Sequence, residues 1–175
     1  MIQFLIAALL IVIMLLLLFI IVGFFFFLFD IFLELPYVAT KRHKIDTIIK
    51  FASIKEGDTI VDLGSGDGRL LIASAQKGAN AIGYEINPFL IGITLVHAKL
   101  KGLADHISVY KSNLWKADLA AADVVFVYGR RKTMQKFQDF VYKNAKKGTR
   151  IVVNTNPFPG KKPIRQENDV YLYKV

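Results

Sequence analysis

Residues Phe4 to Phe29 form an unbroken run of 26 residues without a charge or a strongly polar side chain. As a helix, such a run spans roughly 39 Å, against a bilayer hydrocarbon core of about 30 Å, so it is long enough to cross once with some tilt. The run concentrates the apolar character of the chain. Of the first 35 residues 31 are hydrophobic, which leaves 63 of the other 140, or about 45%, the level of an ordinary globular domain. Intrinsic disorder is excluded, and with no Cys so is a disulfide-stapled fold.

A cleaved signal peptide fits the run poorly. No basic n-region precedes it, it exceeds the usual h-region of about 7–15 residues, and no small-x-small cleavage site follows. The first charges beyond the run, apart from Asp30 and Glu34, are Lys41, Arg42 and Lys44, while the N-terminal flank has no basic side chain. By the positive-inside rule the expectation is a single-pass membrane protein with its domain on the cytoplasmic side. The expected organisation is a transmembrane anchor over 1–34, a connecting segment over 35–57 and one domain over 58–175.

After Pro36, short β-rich runs alternate with helical stretches, the pattern of an α/β fold with a largely parallel sheet. Helices are expected over Lys44–Ile54, Arg69–Gln76, Pro88–Leu100 and Lys132–Ala145. Strands are expected over Thr59–Leu63, Ala81–Glu85, Ile107–Tyr110, Asp123–Tyr128, Arg150–Asn154 and Val170–Lys174.

The most specific stretch runs from Thr59 to Leu70, a strand that enters Asp62-Leu-Gly64-Ser65-Gly66-Asp67-Gly68-Arg69 and then a helix. Glycines at such a turn let the backbone bend sharply and approach a ligand closely. A second strand then ends in Glu85, where a carboxylate accepts the hydroxyls of a ribose. The loop reads G-x-G-x-G, with Arg69 where a dinucleotide fingerprint has its third glycine, and no Gly-Lys-Ser/Thr follows to make a P-loop.

This pattern resembles motif I of the class I S-adenosylmethionine-dependent methyltransferases, which implies a Rossmann-like sheet and S-adenosyl-L-methionine as cofactor. The resemblance implies that the amino-acid end of the cofactor lies on Gly64, Ser65, Gly66, Asp67 and Gly68, with Asp62 as the acidic residue just before the loop. After the third strand, Asn113 falls where these enzymes often place an Asp against the adenine amino group; an Asn oxygen accepts the same hydrogen bond. Trp115 is open between packing on the adenine edge and filling core.

Taken in order, Leu35-Pro-Tyr37-Val-Ala39-Thr40, Asp62 to Arg69, Gly83-Tyr-Glu85-Ile-Asn87-Pro88, Asn113-Leu114-Trp-Lys116 and Asn156-Pro-Phe158-Pro159 resemble a narrower group. This is the membrane-anchored lysine methyltransferase family, whose eukaryotic members act on the adenine nucleotide translocase and the c subunit of ATP synthase and which has prokaryotic relatives. The resemblance covers nearly the whole chain and adds Tyr37, Thr40, Asn87 and Leu114 to the cofactor contacts. It implies methyl transfer to a lysine, here expected on a membrane-associated protein. Two positions depart from the family pattern, Ala39 where it has Pro and Asn113 where it has Asp.

Residues at the carboxyl ends of the fourth and fifth strands are the candidates for catalysis, namely Tyr128, Asn154, Thr155, Asn156 and Phe158. For Tyr128 the alternative is an aromatic packed on the next helix, and for the Asn154–Pro159 loop a proline-punctuated turn. Asn156-Pro-Phe158 also resembles the Asn/Asp-Pro-Pro-aromatic motif of enzymes that modify nucleic-acid amino groups. Those enzymes carry it after the fourth strand, where this chain has Tyr128-Gly-Arg130, so nucleic acid is not the expected substrate. His43, His97 and His106 are scattered and Cys is absent, so no metal site is expected.

The charge adds a partner. Residues 1–40 hold two acids and no base, so the 23 Lys and Arg beyond them face 12 acids and the domain carries +11. Eight basic residues lie between Arg130 and Arg150 against Asp139 alone. Attraction to an anionic lipid surface is the favoured reading, with a solvated helix face and nucleic-acid binding as alternatives. Two other functions stay open: methylation of a lipid-soluble small molecule, and a non-catalytic cofactor-binding membrane module.

Overall fold

Apolar β-branched runs drive the sheet. The computed structural model describes residues 1–32, 40 and 42–175. It places seven strands in one sheet: β1 Thr59–Leu63, β2 Asn80–Glu85, β3 Ile107–Lys111, β4 Val124–Tyr128, β5 Arg150–Asn154, β6 Arg165–Glu167 and β7 Val170–Lys174. Their order is β3-β2-β1-β4-β5-β7-β6, with β7 antiparallel between β5 and β6 and the other neighbours parallel. This is the α/β, Rossmann-like arrangement expected. The chain winds outward from β1 through β2 to β3, then returns to β4 beside β1, which makes the β1/β4 boundary the topological switch point where such sheets bind ligands.

Helices cover both faces: α2 Arg42–Ala52, α3 Arg69–Ala75, α4 Pro88–Leu100 and α5 Met134–Asn144. One core cluster joins Ile48, Phe51 and Ala52 of α2 to Ile60, Val124, Phe126, Val152 and Val170. The other joins Leu71, Ile72 and Ala75 of α3 and Ala98 of α4 to Ala81 and Ile107. Helix α2 is part of this core, and the chain divides into compact units Met1–Tyr37 and Val38–Val175.

Strands β1 and β5 and helix α4 run between the residues expected. Strand β6 lies outside the expected set, because Arg165-Gln-Glu167 has no apolar alternation and is held by pairing with β7 and by contacts to α2, Lys50 on Glu167 and Arg165 over the Phe51 ring. The connection is Asn168-Asp169, both at positive φ (53° and 55°), as a two-residue type I′ hairpin requires. Helix α5 starts two residues later than expected, after a 3₁₀ turn over Arg131–Thr133.

In the first unit, α1 Ile2–Phe32 is a continuous helix. Its stretch Ile2–Phe25 has a mean hydropathy of 3.7 and is exposed throughout, long and apolar enough to cross a membrane. Tyr37 and the Leu35–Ala39 stretch lie outside the described residues.

Candidate functional site

Strand β1 carries Asp62 toward the carboxyl end of the sheet and the chain then turns through Gly64, Gly66 and Gly68, all at positive φ. The turn is pinned to β2 by the N–H groups of Gly64 and Ser65, which donate to the Tyr84 carbonyl at 2.9 and 3.2 Å. Gly68, at φ 75°, opens α3, and a Cβ there would lie 2.3 Å from Cγ2 of Thr94. The Thr94 hydroxyl of α4 lies 3.2 Å from the Gly66 carbonyl and 3.0 Å from that of Leu90. Gly83 of β2 is equally constrained, since a Cβ would meet Oγ of Ser65 at 2.5 Å.

Glu85 ends β2, buried, and its carboxylate closes the site. Oε2 accepts from the Gly66 N–H at 2.8 Å, and Oε1 accepts from the N–H groups of Ile86 and Asn87, each at 2.8 Å. Asn87 caps α4, its Oδ1 accepting from the Phe89 N–H at 3.0 Å, with Pro88 in the first turn where its missing N–H costs nothing. The Asn87 side chain therefore positions the helix after Glu85.

Asp62 is buried nearby. Its carboxyl is pushed up to about 7, first by burial and then by the negative charges of Glu85 and Asp67. Asp67 itself is gripped by the Arg69 guanidinium, which also donates to the Thr40 carbonyl. The contact from Thr40 is thus its backbone oxygen reaching the loop through Arg69. Three carboxyls thus converge on one turn, Asp67 paired with Arg69 and Asp62 held largely protonated below about pH 7.

Ser65 Oγ is, among the described residues, the one buried side-chain polar atom without a hydrogen-bond partner. An unmet hydroxyl beside a glycine turn, a capped carboxylate and a protonatable Asp form a donor and acceptor set suited to a ligand with an amino-acid end and ribose hydroxyls. Leu114 packs over the turn, its Cδ2 3.7 Å from where a Gly64 Cβ would stand. Exposed Ile86, next to Glu85, is an apolar neighbour that sequence patterning gives no reason to single out.

Asn113 follows β3 and is exposed, but its Oδ1 accepts from the Trp115 N–H at 3.0 Å and caps a 3₁₀ turn over Leu114–Lys116. One acceptor lone pair and the amide donors are left for a ligand. Trp115 is turned to α5, 4.5 Å from the Phe137 ring and 5.7 Å from Phe140, with Nζ of Lys136 4.2 Å from its own ring centre. This settles it as packing.

At the ends of β4 and β5, Tyr128 and Asn154 are register partners. Asn154 is buried and its Oδ1 accepts from the Thr155 hydroxyl at 3.0 Å. Asn156 Nδ2 donates to the Gly129 carbonyl at 2.8 Å, tying the loop after β5 to the end of β4. Phe158 is only 3% exposed and packs on Tyr173 at 4.9 Å, while its N–H donates to the Tyr173 hydroxyl at 3.0 Å. It anchors the loop in the core.

Thr155 has φ 74°, an uncommon conformation for a β-branched residue. It is held by its N–H to the Asp169 carbonyl at 2.7 Å and by Lys44 Nζ, 3.2 Å from its hydroxyl and 3.4 Å from Oδ2 of Asp169. The buried Lys44 of α2 and the β6–β7 hairpin thus shape the β5 end, a link across more than a hundred residues that no local pattern announces. No group of three or more His, Cys, Asp or Glu able to hold a metal occurs among the described residues.

Comparison with known proteins meets this geometry. The family described as the ANTKMT methyltransferase domain matches residues 62–165. The lysine N-methyltransferase of the ATP synthase c subunit from Homo sapiens is 32% identical over 125 residues, 71% of this chain and 53% of that protein. The chain thus spans about half the length of that relative. A protein-lysine N-methyltransferase of Saccharolobus islandicus is 29% identical over 151 residues, 81% of this chain and 94% of its own. The crystal structure of an RNA methyltransferase from Salinibacter ruber with S-adenosyl-L-homocysteine superposes with a TM-score of 0.74 at 32% identity, covering 78% of this chain and 93% of that one. With its strand order, glycine turn and clamped Glu85, this chain belongs to the ANTKMT methyltransferase domain family.

Proposed function

We propose that the chain is an S-adenosyl-L-methionine-dependent protein-lysine N-methyltransferase, anchored in a membrane by α1 with its domain on the cytoplasmic side, and acting on a membrane-associated protein. The observation that carries the reading is the clamped Glu85 carboxylate beside the Gly64–Gly68 turn, with the unmet Ser65 hydroxyl in that turn and the protonatable Asp62 at its start. Membrane and substrate are supported by the 24-residue apolar span and by the human relative, which is named for a lysine of the c subunit of ATP synthase.

When bound, the cofactor supplies an electrophilic methyl group on a sulfonium. Ser65 and the turn amides hold its amino-acid end, and Asp62, ionised by the arrival of positive charge, pairs with it. Glu85 receives the ribose. Three of the roughly four acceptor sites of its carboxylate are already taken, so one hydroxyl has to share Oε2 with the Gly66 N–H, which couples ribose binding to the fit of the turn. Leu114, Ile86 and Asn113 bound the adenine side.

The incoming lysine, with a reference pKa near 10.4, reacts only as the neutral amine. Tyr128 and the Asn154 and Asn156 carboxamides present oxygens at the strand ends that accept from that amine, and burial disfavours its charged form. Positioning and exclusion of water then supply most of the acceleration, and no dedicated base is needed.

Incubating membranes that contain the chain with methyl-labelled cofactor is expected to place label in protein lysines, and Glu85→Ala is expected to abolish it. A second reading, RNA methylation, is favoured by the likeness to the Salinibacter RNA methyltransferase and by the +11 charge. Label released by ribonuclease would overturn the lysine reading in its favour, and label extracted into organic solvent would point to a lipid-soluble small molecule. Cofactor binding without label in any fraction would leave a non-catalytic module.

A further inference from the structure

Helix α4 presents its apolar side outward. Of its 13 residues only Thr94 and Ala98 are fully buried, one turn apart and facing the sheet. At 100° per residue, Ile93, Val96 and Leu100 lie on the opposite side, and they are 42%, 58% and 79% exposed. The stripe points away from the core in a position where a soluble helix carries charge.

The edges of this stripe have one sign. No Asp or Glu occurs between Glu85 and Asp105, whereas His97 and Lys101 flank the stripe on one side and Lys99 on the other. Long basic side chains at the borders of an apolar strip reach up to anionic headgroups while the strip enters the acyl boundary. The larger basic run over 130–150 is less available than its count suggests. Arg150 pairs with Asp58, Lys146 with Asp123, and Lys136 lies over Trp115.

We propose that the outward stripe of α4 docks into the interface of an anionic lipid bilayer. The inference rests on the membrane reading above and sharpens it. Because Asn87, two residues beyond Glu85, caps this helix, docking α4 sets the cofactor end of β2 at the membrane surface, where lysines of membrane proteins emerge.

The chain has no Cys, so single cysteines report cleanly. The full-length chain is reconstituted in phosphatidylcholine–phosphatidylserine vesicles, with an environment-sensitive fluorophore at Ile93→Cys, Val96→Cys or Leu100→Cys. Blue-shifted emission, quenched by lipids spin-labelled on the acyl chain, is expected at these three, and water-like unquenched emission at exposed Lys77→Cys. Adding Ile93→Glu and Val96→Glu is expected to abolish quenching at Leu100→Cys without changing thermal melting or cofactor binding. Water-like emission along α4 overturns the proposal. So does a blue shift that lipid quenchers leave untouched and that grows with protein density, which would mean contact between copies. A label at Val12→Cys reports the anchor separately: quenching there with none at α4 overturns the docking alone, and quenching at neither overturns both.

Discussion

Asp62 is the residue whose chemistry is most displaced from its ordinary state. Its carboxyl titrates near 7 instead of 3.8 because ionisation in a buried position beside Glu85 and Asp67 is costly. With the folded value above the unfolded one, the folded protein holds the extra proton between them. Stability of the cofactor-free protein is therefore expected to fall as pH rises from about 4 to about 7 and then to level off. Thermal melting of Asp62→Asn against pH is expected to lose that slope and to show a higher midpoint at pH 8. Binding a positively charged cofactor requires the ionised form, so affinity is expected to rise through pH 7, with a proton released that calorimetry in buffers of different ionisation enthalpy detects. Asp62→Asn removes both the proton release and most of the affinity.

Two other residues act by shape and acceptance. Gly83→Ala drives a methyl into Ser65 and Leu71, and an overpacked site of this kind typically costs about 1–3 kcal/mol, to be read by denaturant unfolding. Cofactor affinity is expected to fall with it, because the displaced neighbour is Ser65. Glu85→Gln keeps the size but puts a donor where a backbone N–H points, and isothermal titration is expected to show binding weakened tenfold or more. Of these roles, the glycine turn and Glu85 were readable locally. The spacing does not say that Asp62 is protonated or that Asn113 spends an oxygen on capping, since both depend on what packs around them.

Among the elements, the Asn154–Pro159 loop shows how far a motif reads. The prolines announce a stiff turn, yet the side chain that holds it is Tyr173, fifteen residues past Phe158 on β7. Tyr173→Phe keeps the ring and leaves the buried Phe158 N–H without an acceptor, so a loss of about 1–3 kcal/mol is expected in denaturant unfolding. A lower methyl-transfer rate at unchanged cofactor affinity is expected alongside it. Helix α4 runs over the expected Pro88–Leu100. Which face meets the sheet is selected by the close Gly68–Thr94 approach, which leaves Ile93, Val96 and Leu100 outward.

On the scale of the whole chain, composition separates an apolar helix from a basic domain, and the two compact units follow that division. Removing α1 is expected to leave cofactor affinity of the domain unchanged while shifting the chain from the membrane pellet to the supernatant at high salt; loss of affinity would tie the helix to the site. At low salt part of the truncated chain is expected to stay bound, since basic side chains and the α4 stripe act within a Debye length of about 10 Å.

The amino-acid sequence by itself determined the membrane-length helix, the alternation of strands and helices, the glycine turn and the carboxylate that follows it. Each of these is written in short-range periodicity and turn chemistry. Only the tertiary structure decided that α2 belongs to the core, that Phe158 turns inward, that Lys44 reaches Thr155 and Asp169, and that α4 faces outward. These depend on which distant groups meet, and the cost of leaving a buried polar atom unpaired or a cavity unfilled is settled by packing rather than by any local pattern.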